Sequence, residues 1–222
     1  MAKDKNLITS PRAVVAGFTA IQKATWDFNK TSKEFQIKVA MDAEDAAGFL
    51  KKLEKLRDAE FERILEENPK YKKVLKKVDV GTVEYDDEGD ETGRIIFKLK
   101  QKEEIAYKDK KGVEQTFTKK IALVDSRGKA ITAPVKIGSG SVVKVSFEPN
   151  PYFSAKDKEV GLSFNRLVGV QLIKLVEFEG DGTPSAEEMG FGAEDDEDGF
   201  DASGFTADQN DDPSGDDDEE DF

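Results

Sequence analysis

Arg94-Ile95-Ile96-Phe97-Lys98-Leu99-Lys100-Gln101-Lys102 interleaves basic and apolar side chains. At the two-residue period of a strand, Arg94, Ile96, Lys98, Lys100 and Lys102 share one face. Further cations stand near rings or in turns: Tyr107 beside Lys108 and Lys110, Arg127 near Lys129, and Lys144 upstream of Tyr152 and Phe153. Cations neutralise phosphates while aromatic rings stack on unpaired bases, so this mixture is the chemistry of a single-stranded nucleic-acid groove. A single lysine on an outer strand face is more often just a solvated side chain; the set as a whole carries the reading. Trp26, the only tryptophan, suits a core role or a stacking role equally. Tyr152 lies between Pro151 and Phe153, in an expected loop after a strand, and packing explains it less easily. Phe35, Phe97, Phe117, Phe147 and Phe164 sit at strand-alternating positions and are expected in the core.

Other chemistries find little support. The chain has no histidine and no cysteine. Disulfides, thiolate metal sites, cysteine nucleophiles and the commonest general base are therefore excluded. No coherent carboxylate pair replaces them, so an enzyme is not expected, and neither is a cofactor or a metal. Asp86-Asp87-Glu88-Gly89-Asp90-Glu91 reads as a solvated acidic loop. Glu194–Gly199 has no bidentate Glu at the twelfth position of a calcium loop, where Phe205 stands. Gly138-Ser139-Gly140-Ser141 lacks the Lys of a phosphate-binding loop and is expected to be a hairpin turn. No apolar run is long enough to span a membrane, and the reading is of a soluble, cytosolic protein.

Charge is divided sharply along the chain. Lys174 is the last basic residue, and residues 180–222 hold eighteen carboxylates. Of 34 basic and 47 acidic residues, removing those eighteen leaves 29 acids, so residues 1–179 are net +5 although the whole chain is −13. A mildly basic body thus carries a polyanion. The tail is too polar to bury a core and is expected to be disordered. It ends in Asp216-Asp217-Asp218-Glu219-Glu220-Asp221-Phe222, where an apolar ring joined to an α-carboxylate is a suitable anchor for a partner pocket.

The elements that position the cations follow from periodicity. Phe35, Ile37 and Val39 alternate with polar neighbours, as in a half-buried strand. Asp42 is placed to cap a helix, with Asp45 at the capping-box position. Phe49, Leu50, Leu53, Leu56, Phe61, Ile64 and Leu65 then recur at helical spacing over roughly six turns, ending near Asn68-Pro69. A second short helix is expected over Lys70–Lys77. Strand alternation returns after the acidic loop, with turns at Asp109–Gly112 and Asp125–Gly128. Val143, Val145 and Phe147 form another strand, and Gly161–Phe178 reads as one long strand bent at Gly161 or Gly169. The pattern predicts a mainly β chain, a small closed barrel or a sandwich with a helical insertion; the Gly-kinked long strand suits an OB-fold, the five-stranded Greek-key barrel, with a long inserted α-helix about 42–77 and a disordered acidic tail. The domains are then 1–179 for the barrel and 180–222 for the tail.

Several stretches resemble the phage-encoded single-stranded DNA-binding proteins of the podovirus replication type. These are Phe35–Val39 leading into the helix, Gly93–Lys100, Ile121–Lys129, Ile137–Val145, Pro151-Tyr152 and Val160–Glu177, together with the acidic tail. The resemblance implies an OB-fold with DNA lying across basic and aromatic side chains, here Lys98, Lys100, Lys144 and Tyr152. It implies that Asp216–Phe222 contacts replication partners such as DNA polymerase and competes for the DNA groove.

The residues taken as DNA-binding are Arg94, Lys98, Lys100, Lys102, Tyr107, Arg127, Lys129, Lys144, Tyr152, Phe153 and Trp26. The expected function is sequence-tolerant binding of single-stranded DNA in phage replication, recombination and repair, in the cytoplasm of an infected bacterial host. A monomer and a homodimer are both left open. The competing class is an acidic-tailed interaction protein, a nucleic-acid mimic or a chaperone of basic proteins, in which the body is only a scaffold.

Overall fold

The computed structural model describes residues 6–177. The acidic tail and everything expected of it, Phe222 included, lie outside the described residues. In chain order, β1 (Ile8–Thr9), β2 (Ala13–Val15), β3 (Ala20–Trp26) and the long β4 (Lys33–Asp42) precede α1 (Ala43–Glu67). A 3-10 turn (Pro69–Lys73) leads to β5 (Lys76–Lys77), β6 (Thr82–Tyr85) and β7 (Glu91–Lys102). Then come β8 (Glu104–Lys108), β9 (Glu114–Thr118), β10 (Ala122–Val124), β11 (Val142–Phe147), β12 (Asn150–Ser154), β13 (Glu159–Ser163) and β14 (Leu167–Lys174).

Five strands make the barrel. Their order is β14-β11-β2-β4-β7, and β7 returns to the start of β14. The closure is made by the Lys100 N–H donating to the Phe164 carbonyl at 2.9 Å and by the Gln101–Arg166 bridge. In sequence order the barrel strands 1 to 5 are β2, β4, β7, β11 and β14. Strands 1, 2 and 3 meander, strand 3 meets strand 5, and strand 4 pairs with both 5 and 1. This is the Greek-key path of an OB-fold, as the sequence predicted.

Alternation explains the barrel's interior. Ile37, Val39, Phe97, Leu99, Val143, Val145 and Phe147 are buried, and the residues between them on β4, β7 and β11 face outward. α1 closes one end through Ala46, Phe49 and Leu53. Four rings lock it there edge-to-face: Phe49 stands 5.5 Å from Phe97 and 6.1 Å from Phe147, and Phe164 stands 6.0 Å and 5.5 Å from the same two. Such pairs each contribute about 0.5–1.5 kcal/mol beyond their area burial.

Several local expectations are corrected. Asp42 occupies the N-cap position but makes no side-chain cap bond; Glu44 and Asp45 instead place negative charge in the first turn, where the helix dipole favours it. The second helix is a 3-10 turn opened by Pro69, and Lys76-Lys77 pair with β13 rather than continuing it. Gly138–Ser141 is a turn, closed by the Ser141 N–H on the Gly138 carbonyl at 3.3 Å, but it joins no hairpin: it runs between β2 and the end of β14, bonded to Val15 and Val176, and the Ser141 hydroxyl both donates to the Val176 carbonyl and accepts from its N–H. The expected long final strand is two strands, broken at Phe164-Asn165-Arg166. The bulge falls at Val168, beside Gly169, whose absent Cβ would lie 3.2 Å from the Ala122 carbonyl of parallel β10.

Candidate nucleic-acid interface

The outer face of β4 and β7 carries the first group of cations. In antiparallel register, Arg94 lies opposite Asp42, Lys98 opposite Lys38, Lys100 opposite Gln36, and Lys102 opposite Glu34. The shared face predicted for Arg94, Lys98, Lys100 and Lys102 is present, but its charges are not equal. Arg94 is held by Glu84 at 3.2 Å, and Lys100 forms an ion pair with the largely buried Glu34. Lys98 and Lys38 are both exposed and stand directly across from each other. Like charges in this position destabilise a sheet, so the pair is tolerated at a cost in stability. Lys38 was not among the expected residues, although Lys38 alternates with Ile37 and Val39 just as Lys98 does with Phe97 and Leu99.

The second group is gathered around β14. Lys144 lies opposite Gln171, and Gln171 lies opposite Val124 on the other side. The Gln171 amide donates to the carbonyls of Asp125 (3.3 Å) and Ser126 (3.1 Å), which ties the turn bearing Arg127 and Lys129 to the strand beside Lys144. Within that turn Asp125 Oδ1 accepts the N–H groups of Arg127 and Lys129, both at 2.8 Å. These bonds, the Lys129 N–H first, hold its carboxyl below the ordinary value. Continuing the β2 register places Arg12 between Lys144 and Asp42, so the two groups lie on one continuous outer surface.

The aromatic residues divide differently. Trp26, 57% exposed, ends β3 with the Lys33 ammonium 5.5 Å from its ring centroid. Tyr107, 52% exposed, projects from the β8–β9 hairpin, which pairs only with itself. Phe117 on the same hairpin is not core: it is 45% exposed, with the Lys119 ammonium 4.7 Å from its ring centroid. Tyr152 is a strand residue, not a loop residue, because the edge strand β12 accommodates Pro151. Its ring lies over Gly161, whose missing Cβ would come within 2.6 Å of the Tyr152 hydroxyl. That leaves Tyr152 38% exposed with one face supported. Phe153 alternates to the other side, where its ring packs on Tyr71 at 5.6 Å.

Sequence reasoning missed the β3–β4 turn. Asp86, Asp109 and Asp125 each open a five-residue turn in which Oδ1 accepts the N–H groups two and four residues on, with glycine at the fourth position (Gly89, Gly112 and Gly128, φ 81–89°). Asp27 opens the corresponding turn, but its fourth residue is Lys30, at φ 54°. Its carboxyl is held low, chiefly by the Thr31 hydroxyl at 2.6 Å. The tip carries Phe28, 100% exposed. The signal was legible: Asp27-Phe28-Asn29-Lys30 has the Asp-x-x-Gly form of the other three turns with a cation in the glycine position.

This barrel, with its outer face of cations, its exposed rings, and turns flanking strands 2 and 3, defines a protein of the oligonucleotide-binding OB class. The chain belongs to the family of the single-stranded DNA-binding protein of bacteriophage T7, whose family model matches residues 12–175. Among solved structures it is similar to gp2.5, a single-stranded DNA-binding protein encoded by bacteriophage T7, with a TM-score of 0.60 and 23% identity, covering 83% of this chain and 99% of that one. It also matches the single-stranded DNA-binding protein of bacteriophage Enc34 in a C-terminal truncation (TM-score 0.46, 13% identity, 80% and 94% covered) and in complex with ssDNA (0.46, 12%, 81% and 97%). No curated protein sequence matches the chain. Among the described residues no helix is long and apolar enough to cross a membrane, and no group of three or more potential metal ligands is found.

Proposed function

We propose that the chain binds single-stranded DNA without sequence preference and serves phage DNA replication, recombination and repair in the cytoplasm of the infected host, without catalysis. The observation that carries this reading is the outward face of β4 and β7, where Lys38 and Lys98 stand in register with no carboxylate between them. A fold does not place like charges opposite each other for its own stability; a phosphate backbone resolves the conflict. Lys102, Lys144, Arg127 and Lys129 extend the path, and Trp26, Tyr107 and Tyr152 offer ring faces to bases. Arg94 and Lys100, already paired, hold the surface more than they bind. The acidic residues Asp216–Asp221 with Phe222 recruit replication proteins such as the polymerase and compete with DNA for the cationic face.

The test is a titration of the full chain with single- and double-stranded oligonucleotides across a salt series. Tight binding of single strands that weakens steeply with salt is expected, because each neutralised phosphate releases counterions. Replacing Lys38 and Lys98 together by Ala should weaken binding and flatten the salt dependence. Unchanged binding in that variant would move the DNA path off this face. A chain that captures basic proteins and no DNA would support the interaction-protein reading instead.

A further inference from the structure

A separate concentration of positive charge gathers about the three-stranded sheet β12-β13-β5, which is not the sheet that holds β4 and β7. The 3-10 turn supplies Lys70, Lys72 and Lys73, β5 supplies Lys76, and the tip of the β12–β13 hairpin supplies Lys156 and Lys158. Segments about eighty positions apart in sequence are brought together by parallel pairing, with Lys76 opposite Glu159 and the Lys76 N–H bonded to the Lys158 carbonyl at 2.9 Å. Lys77, the next residue, is already spoken for by Asp58 at 3.2 Å and by the Phe61 ring. Against the six lysines the hairpin tip offers two carboxylates, Asp157 and Glu159, and Asp157 is bonded to the Ser154 hydroxyl at 2.7 Å. Lys158 has φ 56°. Apart from Lys30, it is the only described non-glycine residue with positive φ. A lysine in that region is a strained choice where Gly or Asn is cheaper.

The patch has cations but no free ring. Tyr71 is its aromatic centre, yet the Lys70 and Lys158 ammonium groups lie 5.4 and 4.7 Å from its ring centroid, and Phe153 packs against it. A base cannot stack there, so only the charge of a ligand can be read. The patch lies on the Phe153 face of β12, and the hairpin tip links it to a free ring on the opposite face, Tyr152. β12 ends at Ser154, and the turn that follows it carries Lys156, four residues beyond Tyr152.

On the single-strand-binding reading above, we infer that this lysine patch is a second phosphate-binding surface, which takes the sugar-phosphate backbone of DNA running on past Tyr152 and around the tip of the β12–β13 hairpin. The barrel face grips bases and phosphates together. The patch grips phosphates alone, and it is reached only by strands longer than the barrel face covers.

The test compares Lys72→Gln/Lys73→Gln/Lys156→Gln with Lys51→Gln/Lys52→Gln/Lys55→Gln, a control of equal charge loss on exposed positions of α1. Both full-length variants are titrated with oligo-dT of about 8 and about 30 nucleotides, lengths chosen around the usual OB-fold site size of about 4–16. The patch variant should bind the long oligonucleotide roughly tenfold more weakly, with a log–log salt slope shallower by about 2, since each single-strand phosphate contributes about 0.7. Its binding of the short one, and the control's binding of both, should match the unsubstituted chain. Should the triple variant unfold, Lys156→Gln alone should flatten the long-oligonucleotide slope by about 0.7. Unchanged long-strand binding would overturn the inference and leave the patch to acidic protein segments. Equal loss for both lengths, or equal loss in the control, would also overturn it. Failure of the unsubstituted chain to bind even the short strand would instead overturn the function proposed above.

Discussion

Replacing Lys30 by Gly should make the protein more stable and its complex weaker. Lys30 holds φ 54° in a turn whose three counterparts place Gly at the same position. For an L-residue the left-handed region costs about 1–2 kcal/mol relative to Gly. Gly in turn has more freedom to lose on folding, which returns about 0.4–1 kcal/mol. The net gain expected is about 0.5–1 kcal/mol, or about 1–4 °C in Tm for a body of this size. No other bond of the turn need change, because the Lys30 N–H still donates to the Asp27 carbonyl at 3.0 Å. Thermal unfolding measures the gain. The reciprocal change, Gly128→Lys at φ 83°, should lower Tm by a similar amount. DNA affinity is read separately through Trp26 fluorescence, the chain's single tryptophan lying at the same turn; loss of the tip cation should weaken binding a few-fold, about the effect of one phosphate contact. A lower or unchanged Tm would refute the strain argument. A higher Tm with unchanged affinity would remove Lys30 from the interface.

Tyr152→Ala should cost about 1–3 kcal/mol of binding if a base stacks on the ring, measured by titration with oligo-dT. Gly161→Ala touches no proposed contact, yet its Cβ would come within 2.6 Å of the Tyr152 hydroxyl; it should displace the ring and reproduce part of that loss, and unaltered affinity would show that the ring's support is unimportant. Deleting residues 180–222 should tighten binding at low salt by removing a tethered competitor whose effective concentration is on the order of mM; equal affinity of the two chains would rule out competition. Asp125 has a folded pKa below its usual 3.8. The stability it lends is therefore present above the ordinary carboxylate range and lost only as pH falls through the lower folded value. Amide exchange at Arg127 and Lys129 should accordingly stay slow until the pH is below about 3.8, and Asp125→Ala should abolish that protection.

What the sequence disclosed was mostly periodic. Ile37 and Val39, Phe97 and Leu99, and Val143 and Val145 announced the strands that close the barrel, and Phe49, Leu53 and Ile64 announced the helix. Short, non-local features were hidden. β5 is two lysines with no apolar signature, formed because β13 lies beside it. Tyr152 looked like a loop residue because Pro151 normally stops a strand, but an edge strand spares that missing donor. Phe117 alternated like a core residue on a hairpin that packs against nothing large. The candidate face was legible in its charges and not in their pairing: nothing in the sequence told Lys98, opposed by Lys38, from Lys100, answered by Glu34. That difference arises only when β4 and β7 take their register.

The opposition of Lys38 and Lys98 also makes the protein answer ionic strength in two contrary directions. Salt screens the repulsion between the two ammonium groups, so this pair costs the empty barrel less as the medium becomes more saline. The same ions return to the phosphates and loosen the complex. Dilute surroundings do the reverse: they tense the bare sheet and tighten its hold on a strand. On the proposed path, bound DNA takes the place of dissolved salt at this pair, and a coated strand carries its own counterions in the form of folded protein.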